Sequence, residues 1–247
     1  MPRRLGQHFL VNQSILERIA IAACGDFTAR VVEIGPGRGA LTRHLLPRSG
    51  ELHCIELDSA LATYLRGEFS SFDRLQVHEA DVLTTDLAQW GEAVITGNLP
   101  YYITSPIIER FLALDGRFSS AVFLMQLEVA ERLLASPGTR AYGYLTVVTR
   151  LVCDVELVCK VPAGAFSPPP KVESAAVRLV RRDRGVDIEP VVALASRAFA
   201  QKRKTLRNNL RQFYGTAIDR VPEAGLRAEQ LTIEQFISLA ARLRNLA

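Results

Sequence analysis

A doubly wound, mostly parallel α/β sheet followed by a small α-helical C-terminal domain is the fold class predicted by this 247-residue sequence. Three observations predict it. Short apolar, β-branched runs alternate with helix-period segments from residue 30 to residue 125. The glycine-rich turn Gly35-Pro36-Gly37-Arg38-Gly39 follows the first of those runs directly, as a strand-to-helix phosphate or nucleoside turn does. Beyond residue 185 the strand rhythm stops and helical patterns with a different charge balance take over.

An amphipathic helix over 13–23, with Asn12 as its cap, precedes the first strand. Strands are expected near 30–34, 51–56, 75–79, 93–97 and 120–125. The helices between them imply right-handed crossovers. Residues 144–152 read as helix or buried strand with equal ease. Residues 154–161 and 175–180 read as strands with no room for a crossover helix, so a hairpin-like pair is expected. Between them, 162–170 carries Pro168-Pro169-Pro170, which favours an extended, stiff path. The charged linker Arg181-Arg182-Asp183-Arg184-Gly185 then marks a boundary, giving domains over 1–185 and 186–247. A closing amphipathic helix is expected from Ala228 through Leu243.

Composition bounds the function classes. Hydrophobic residues make up 48% of the chain, ample for a core, and the net charge is +4. No stretch approaches the roughly 18 apolar residues of a membrane span, and the first residues lack the apolar region of a secretory signal. A cytoplasmic protein is expected. Cys24, Cys54, Cys153 and Cys159 contain no Cys-x-x-Cys pair and read as reduced, buried thiols. His8, His44, His53 and His78 are scattered without ligand spacing, so solvated or packed roles are the default and no metal is expected.

The most chemically suggestive stretch is Gly97-Asn98-Leu99-Pro100-Tyr101, directly after an apolar strand. Proline drives the preceding residue into extended backbone, so the Leu99 carbonyl can turn sideways beside the Asn98 amide. Two acceptors then converge on one spot, suited to the coplanar NH donors of a nucleobase amine stacked on the Tyr101 ring. A plain strand-ending turn is the alternative. Upstream, Gly35, Gly37 and Ala40 satisfy a dinucleotide fingerprint, which alone is weak. Glu33, Glu56 and Asp81 follow in order at the carboxyl ends of successive strands. Glu56 suits ribose hydroxyls and Asp81 an adenine amine, an arrangement that fits S-adenosylmethionine better than a nicotinamide cofactor.

Downstream, 190–218 holds no Asp or Glu while carrying Arg197, Lys202, Arg203, Lys204, Arg207 and Arg211. A cationic run of that length without acids suggests a polyanion, here RNA, over a merely solvated helix face. Arg3 and Arg4 add to the basic character.

Taken together the motifs resemble the ribosomal RNA small-subunit adenine N6,N6-dimethyltransferases, nearly end to end. The resemblance rests on Gly6-Gln7-His8-Phe9-Leu10, Glu33-Ile34-Gly35-Pro36-Gly37-Arg38-Gly39-Ala40-Leu41-Thr42, Ile55-Glu56-Leu57-Asp58 and Gly97-Asn98-Leu99-Pro100-Tyr101. It extends to Met125-Gln126-Leu127-Glu128, Phe166-Ser167-Pro168-Pro169-Pro170-Lys171-Val172-Glu173-Ser174 and Arg203-Lys204-Thr205-Leu206-Arg207-Asn208-Asn209-Leu210. His8 stands where many relatives carry Asn, and Glu173 where many carry Asp. The resemblance implies a Rossmann-like methyltransferase sheet closed by an antiparallel strand. It implies catalytic residues Asn98, Leu99, Pro100 and Tyr101, and a cofactor site of His8, Leu10, Glu33, Gly35, Gly37, Glu56, Asp81 and Asn98. Tyr101 would stack on the substrate base, with Phe166 covering its other face or serving as a core anchor. The implied activity is methyl transfer from S-adenosylmethionine to two neighbouring adenines of 16S ribosomal RNA, on naked RNA or an immature 30S particle, by a monomer without a metal. A large-subunit RNA methyltransferase of the antibiotic-resistance type, a DNA adenine methyltransferase and an assembly factor that acts by binding are the competing readings.

Overall fold

The computed structural model describes residues 8–114 and 118–246. Arg3, Arg4 and the Gly6-Gln7 part of the first motif lie outside the described residues. The strands are β1 (Phe9–Leu10), β2 (Thr28–Ile34), β3 (Ser49–Glu56), β4 (Leu75–Glu79), β5 (Ala93–Asn98), β6 (Phe118–Gln126), β7 (Cys153–Val161), β8 (Phe166–Ser167) and β9 (Ser174–Arg181). The α-helices are α1 (Gln13–Cys24), α2 (Thr42–Leu45), α3 (Ser59–Glu68), α4 (Thr104–Leu112), α5 (Leu127–Leu134), α6 (Tyr144–Val152), α7 (Ile188–Ala198), α8 (Leu206–Tyr214) and α9 (Ile233–Leu246). They fold into two compact units: Met1–Ala130 with Val155–Arg181, and Glu131–Asp154 with Arg182–Ala247.

The first unit is built on a seven-stranded sheet of order β4-β3-β2-β5-β6-β9-β7. Pairing is parallel from β4 through β6 and antiparallel between β6 and β9. The chain runs outward from β2 through β3 to β4, then restarts on the other side of β2 with β5 and β6. Strand order therefore reverses between β2 and β5, the place where open α/β sheets bind ligands at their carboxyl ends. Val32 pairs with His53 on one side and Ile95 on the other, which leaves Gly35 and Asn98 at the same rim. Gly97 permits this approach: a Cβ there would lie 2.3 Å from the Ile34 carbonyl oxygen. Asn12 caps α1 by accepting the Ile15 amide, and Ile15, Leu16, Ile19, Ala20 and Ala23 pack into a core with Val31, Leu52, Val94, Val122 and Leu124.

The expected strands form with small extensions, because the Thr28–Ser49 pair lengthens the β2–β3 ladder beyond the apolar run. The antiparallel closing strand is β9, with β7 beside it at the sheet edge. Residues 144–152 resolve to a helix, α6, whose Thr146, Val147, Val148, Leu151 and Val152 are buried.

The second unit differs from the 186–247 domain expected. Residues 131–154 belong to it, since the apolar face of α6 packs on α7 and α9. Its core includes Leu133, Tyr142, Leu151, Leu194, Leu206, Leu210, Phe236, Leu239 and Leu243, with the Phe199 ring between those of Tyr142 and Phe236 at 6.3 and 5.9 Å. The closing helix begins at Ile233, later than Ala228, because Thr232 and Gln235 cap each other's backbone amides reciprocally.

Candidate active site

At the sheet's reversal point lies a cleft of about 1210 Å³ including its open mouth, formed wholly within the first unit. One wall is the turn after β2. Gly37 there has a φ of 58°, and a Cβ would press to 2.8 Å from the Phe9 ring, so glycine is required on both counts. Glu56, the last residue of β3, is buried and orients its carboxylate by accepting the Gly37 amide on Oε2 and the Asp58 amide on Oε1, each at 3.0 Å. Each oxygen retains a lone pair toward the cleft, as a ribose diol requires. Asp81 accepts the Leu83 amide on Oδ1 at 2.8 Å and lines the same cleft.

Glu33 sits at the floor in a different state. It is 1% exposed, and its Oε2 accepts the Thr42 hydroxyl at 2.6 Å and the Cys54 thiol at 3.6 Å. Burial pushes its carboxyl up to about 7, against the opposing pull of the Thr42 and Cys54 bonds. Its visible work is to tie the end of β2 to α2 beneath the glycine turn.

The opposite wall carries the amide. Asn98 Nδ2 donates to the His8 carbonyl at 3.0 Å, and among the described residues no donor reaches its Oδ1. The Leu99 amide donates to the Leu124 carbonyl, and the Pro100 carbonyl accepts from the Ile103 amide and Thr104 hydroxyl. Among the described residues no donor reaches the Leu99 carbonyl. Asn98 Oδ1 and the carbonyl of Leu99, a residue only 1% exposed, are thus the two acceptors without a donor at the end of β5 among the described residues. Tyr101 stands beside them, half-buried, its hydroxyl 2.7 Å from Ser174 Oγ, and burial raises its phenol above the usual range.

His8, Leu10, Glu33, Gly35, Gly37, Glu56, Asp81, Asn98, Leu99, Pro100 and Tyr101 all line this one cleft. Phe166 does not. It pairs with Leu10 in the β1–β8 ribbon, is 3% exposed and belongs to the core, so the expectation that it covers a base is corrected to the core-anchor alternative. The His8 side chain, left open by the motif, is anchored: Nδ1 donates to the Pro168 carbonyl at 2.8 Å, and its ring lies 6.1 Å from that of Tyr101 at 23°. Chain sequence gave no sign of this partnership, which joins residues 160 apart.

The basic residues divide. Arg197 lies over the Phe213 ring at 4.5 Å and donates to the Tyr214 hydroxyl, a packing role. Arg207 and Arg211 both reach Asp219, at 2.8 and 3.8 Å, the first acid after the run that lacks them. Arg207 and Arg211 thus have an acid beside them, whereas Arg197 has aromatic partners and no acid among the described residues. Lys202, Arg203 and Lys204 are exposed on the loop between α7 and α8. Asn209, buried in α8, holds that loop by donating to the Ala198 and Gln201 carbonyls at 2.7 and 3.2 Å. Sequence reading passed over Asn209; a polar residue at the buried helical spacing of Leu206 and Leu210 was its signal. Among the described residues no cluster of three His, Cys, Asp or Glu could hold a metal, and no helix is long and apolar enough to cross a membrane.

A mostly parallel seven-stranded sheet with an antiparallel strand beside β6, and a cleft over its reversal point, defines a Rossmann-like methyltransferase fold. The chain belongs to the ribosomal RNA adenine dimethylase family, whose model matches residues 2–245. It is 41% identical over 253 residues to the ribosomal RNA small subunit methyltransferase A of Alcanivorax borkumensis, covering 96% of this chain and 88% of that one. To the protein of the same name from Acidobacterium capsulatum it is 43% identical over 252 residues, covering 96% and 89%. Among solved structures it is similar to a dimethyladenosine transferase from Plasmodium falciparum, with a TM-score of 0.84, 29% identity and coverage of 97% and 98%. It is also similar to the 23S rRNA methyltransferase ErmE, with a TM-score of 0.77, 30% identity and coverage of 96% and 99%.

Proposed function

We propose that this protein transfers methyl groups from S-adenosylmethionine to N6 of two adjacent adenines in a loop of 16S ribosomal RNA, giving N6,N6-dimethyladenosine during small-subunit biogenesis. The observation that carries the reading is the pair of free acceptors, Asn98 Oδ1 and the Leu99 carbonyl, beside Tyr101 in the cleft that also holds Glu56 and Asp81. The acceptor set fits the cofactor: Glu56 would hold ribose hydroxyls and Asp81 the adenine amine. When bound, S-adenosylmethionine supplies an electrophilic methyl group on a sulfonium.

The chain's own residues do the rest. An aromatic amine is a poor nucleophile because its lone pair is delocalised into the ring. Accepting both N–H bonds at Asn98 and Leu99 favours the pyramidal nitrogen whose lone pair is free. Positioning in line can supply on the order of 7–11 kcal/mol with no covalent intermediate. The alkylated nitrogen is acidic enough to release its proton to these acceptors or to water. The second methylation leaves one acceptor unused, since the monomethylated amine has a single N–H. Tyr101 would stack on the extruded base, worth about 1–3 kcal/mol. Lys202, Arg203 and Lys204 would contact RNA phosphates. This reading places a monomer in the cytoplasm, acting on naked RNA or a partly assembled 30S particle.

Methylation of large-subunit RNA is the second reading, favoured by the likeness to ErmE; the higher identity to the small-subunit enzymes supports the first. Incubation with labelled S-adenosylmethionine and under-methylated 30S or 50S subunits, followed by mass analysis of digested RNA, separates them. Label in N6,N6-dimethyladenosine from 30S is expected; label from 50S alone would overturn the reading.

A further inference from the structure

We propose that His53, His78 and Trp90 form a proton-operated latch that clasps β3 to β4 behind the cleft and opens in acid, loosening the cofactor rim. The effect on cofactor rests on the methyltransferase reading; the latch itself does not. Side chains alternate along a strand, so with Leu52 and Cys54 in the core that α1 covers, His53 projects from the opposite face of the sheet. There its Nδ1 lies 3.2 Å from Nε2 of His78 on β4. Trp90, which ends the turn Leu87–Trp90, closes the triangle, its ring 5.4 Å from that of His53 and 5.3 Å from that of His78. His53 and Trp90 are buried, and His78 is half-buried. β4 is the last strand on its side, so β3 alone holds it in the sheet. None of the three residues lines the cleft, yet Glu56 and Asp81, which do, each follow one of the histidines by three residues.

A hydrogen bond between two imidazoles needs one facing nitrogen with a proton and one without. The other His53 nitrogen, Nε2, faces Glu51 Oε2 at 3.7 Å; a carboxylate only accepts, so the His53 proton belongs on Nε2 and Nδ1 accepts from His78. A first added proton enters at the far nitrogen of His78 and leaves the bond intact. A second, on His53 Nδ1, sets N–H against N–H between two cations, and the bond breaks. The surrounding charges oppose both protons. Arg30 on β2 donates to Glu51 at 2.6 Å and to the Trp90 carbonyl, while Arg66 on α3 donates to the Val77 carbonyl at 3.2 Å and pairs with Glu79 at 3.6 Å. Burial above all holds both imidazoles below their ordinary value of 6.5, helped at His53 by His78 and Arg30 against the pull of Glu51, and at His78 by Arg66. The unfolded chain therefore takes up protons first: the pair's contribution is complete above 6.5 and is lost as pH falls through the lower folded values.

Trp90 is the only tryptophan of the chain, so emission from the full-length protein reports this site alone. Between about pH 7.5 and 5.5 the wild-type emission maximum is expected to move to longer wavelength as the indole meets water. H78Q, whose amide keeps a donor for His53 and cannot take up a proton, is expected to hold its maximum. Calorimetric affinity for S-adenosylmethionine is expected to fall about fivefold more over that range in wild type than in H78Q, as closed molecules become the minority. Comparing the two proteins cancels the titrations of Glu33 and of the ligand, which they share. Superimposable emission profiles, or superimposable affinity profiles, would overturn the inference. Amide exchange in wild type, corrected for its intrinsic pH dependence, gives the same reading should H78Q fail to fold. Protection over 75–79 is expected to drop about fivefold in acid while that over 120–125 stays within about twofold; no drop, or an equal drop in both segments, would overturn the latch. Absence of S-adenosylmethionine binding at either pH, in a wild type that shows the emission shift, would instead count against the methyltransferase reading itself.

Discussion

In the cleft of the first unit, Asn98 and Asp81 each have one polar side-chain atom committed to backbone and another left over, and Glu56 has each of its two oxygens fixed by one backbone amide. On the α7–α8 loop of the second unit, Lys202, Arg203 and Lys204 are exposed, and it is the loop's backbone that Asn209 pins. Buried groups with fixed directions discriminate one hydrogen-bonding pattern from another, because a mismatch strands a desolvated donor or acceptor. Exposed cations on long stems attract phosphate from any sequence, and salt screens them. On the proposed reading the first region serves selection and chemistry, the second affinity.

The comparison breaks most sharply at Asn98. On the proposed reading Asn98→Ala removes an acceptor needed in the transition state and should lower turnover at least about 10³-fold, on the order of 4 kcal/mol. Calorimetric affinity for S-adenosylmethionine should change less than about threefold; equal losses in both measurements would show that the residue serves binding alone. Glu33 gives a test that needs no substrate. Its folded carboxyl lies near 7 against an ordinary value of 4.5, so the folded state holds the proton more tightly between those values. Stability should be greatest below about pH 4.5 for this group, fall as pH rises toward 7 and level off above, by on the order of 3 kcal/mol. Urea melts of wild type and E33Q across that range should differ by this slope; parallel curves would place the group outside the linkage.

Glu56→Ala should weaken S-adenosylmethionine binding about 10- to 100-fold, as loss of a charged acceptor does. RNA affinity without cofactor should stay unchanged, measured by filter binding. The smallest effect at physiological salt is expected in the second unit. Replacing Lys202, Arg203 and Lys204 together by alanine should cost about tenfold in RNA affinity and flatten the dependence of log affinity on log salt by about 2. An unaltered slope would make that loop scaffold, and the contrast between the two regions would collapse to one site.

Local patterns sufficed wherever a physical rule acts within a few residues. Alternating apolar runs set the strands, Asn12 set the start of α1, and the glycines announced a turn that ligands can approach. Gly97-Asn98-Leu99-Pro100-Tyr101 revealed its acceptors because proline constrains its neighbour wherever it stands. Distant packing settled the remainder. Residues 144–152 carried two valid periodicities until α7 and α9 offered a helical groove. Phe166 was equally suited to a base or to a core, and pairing with Leu10 buried it. Arg207 and Arg211 met Asp219 only when α8 folded against the turn that follows it, and His8 found Pro168 only when two remote strands joined. Charge, polarity and backbone preference belong to each residue as written; which partner neutralises, covers or orients it is a property of the folded chain.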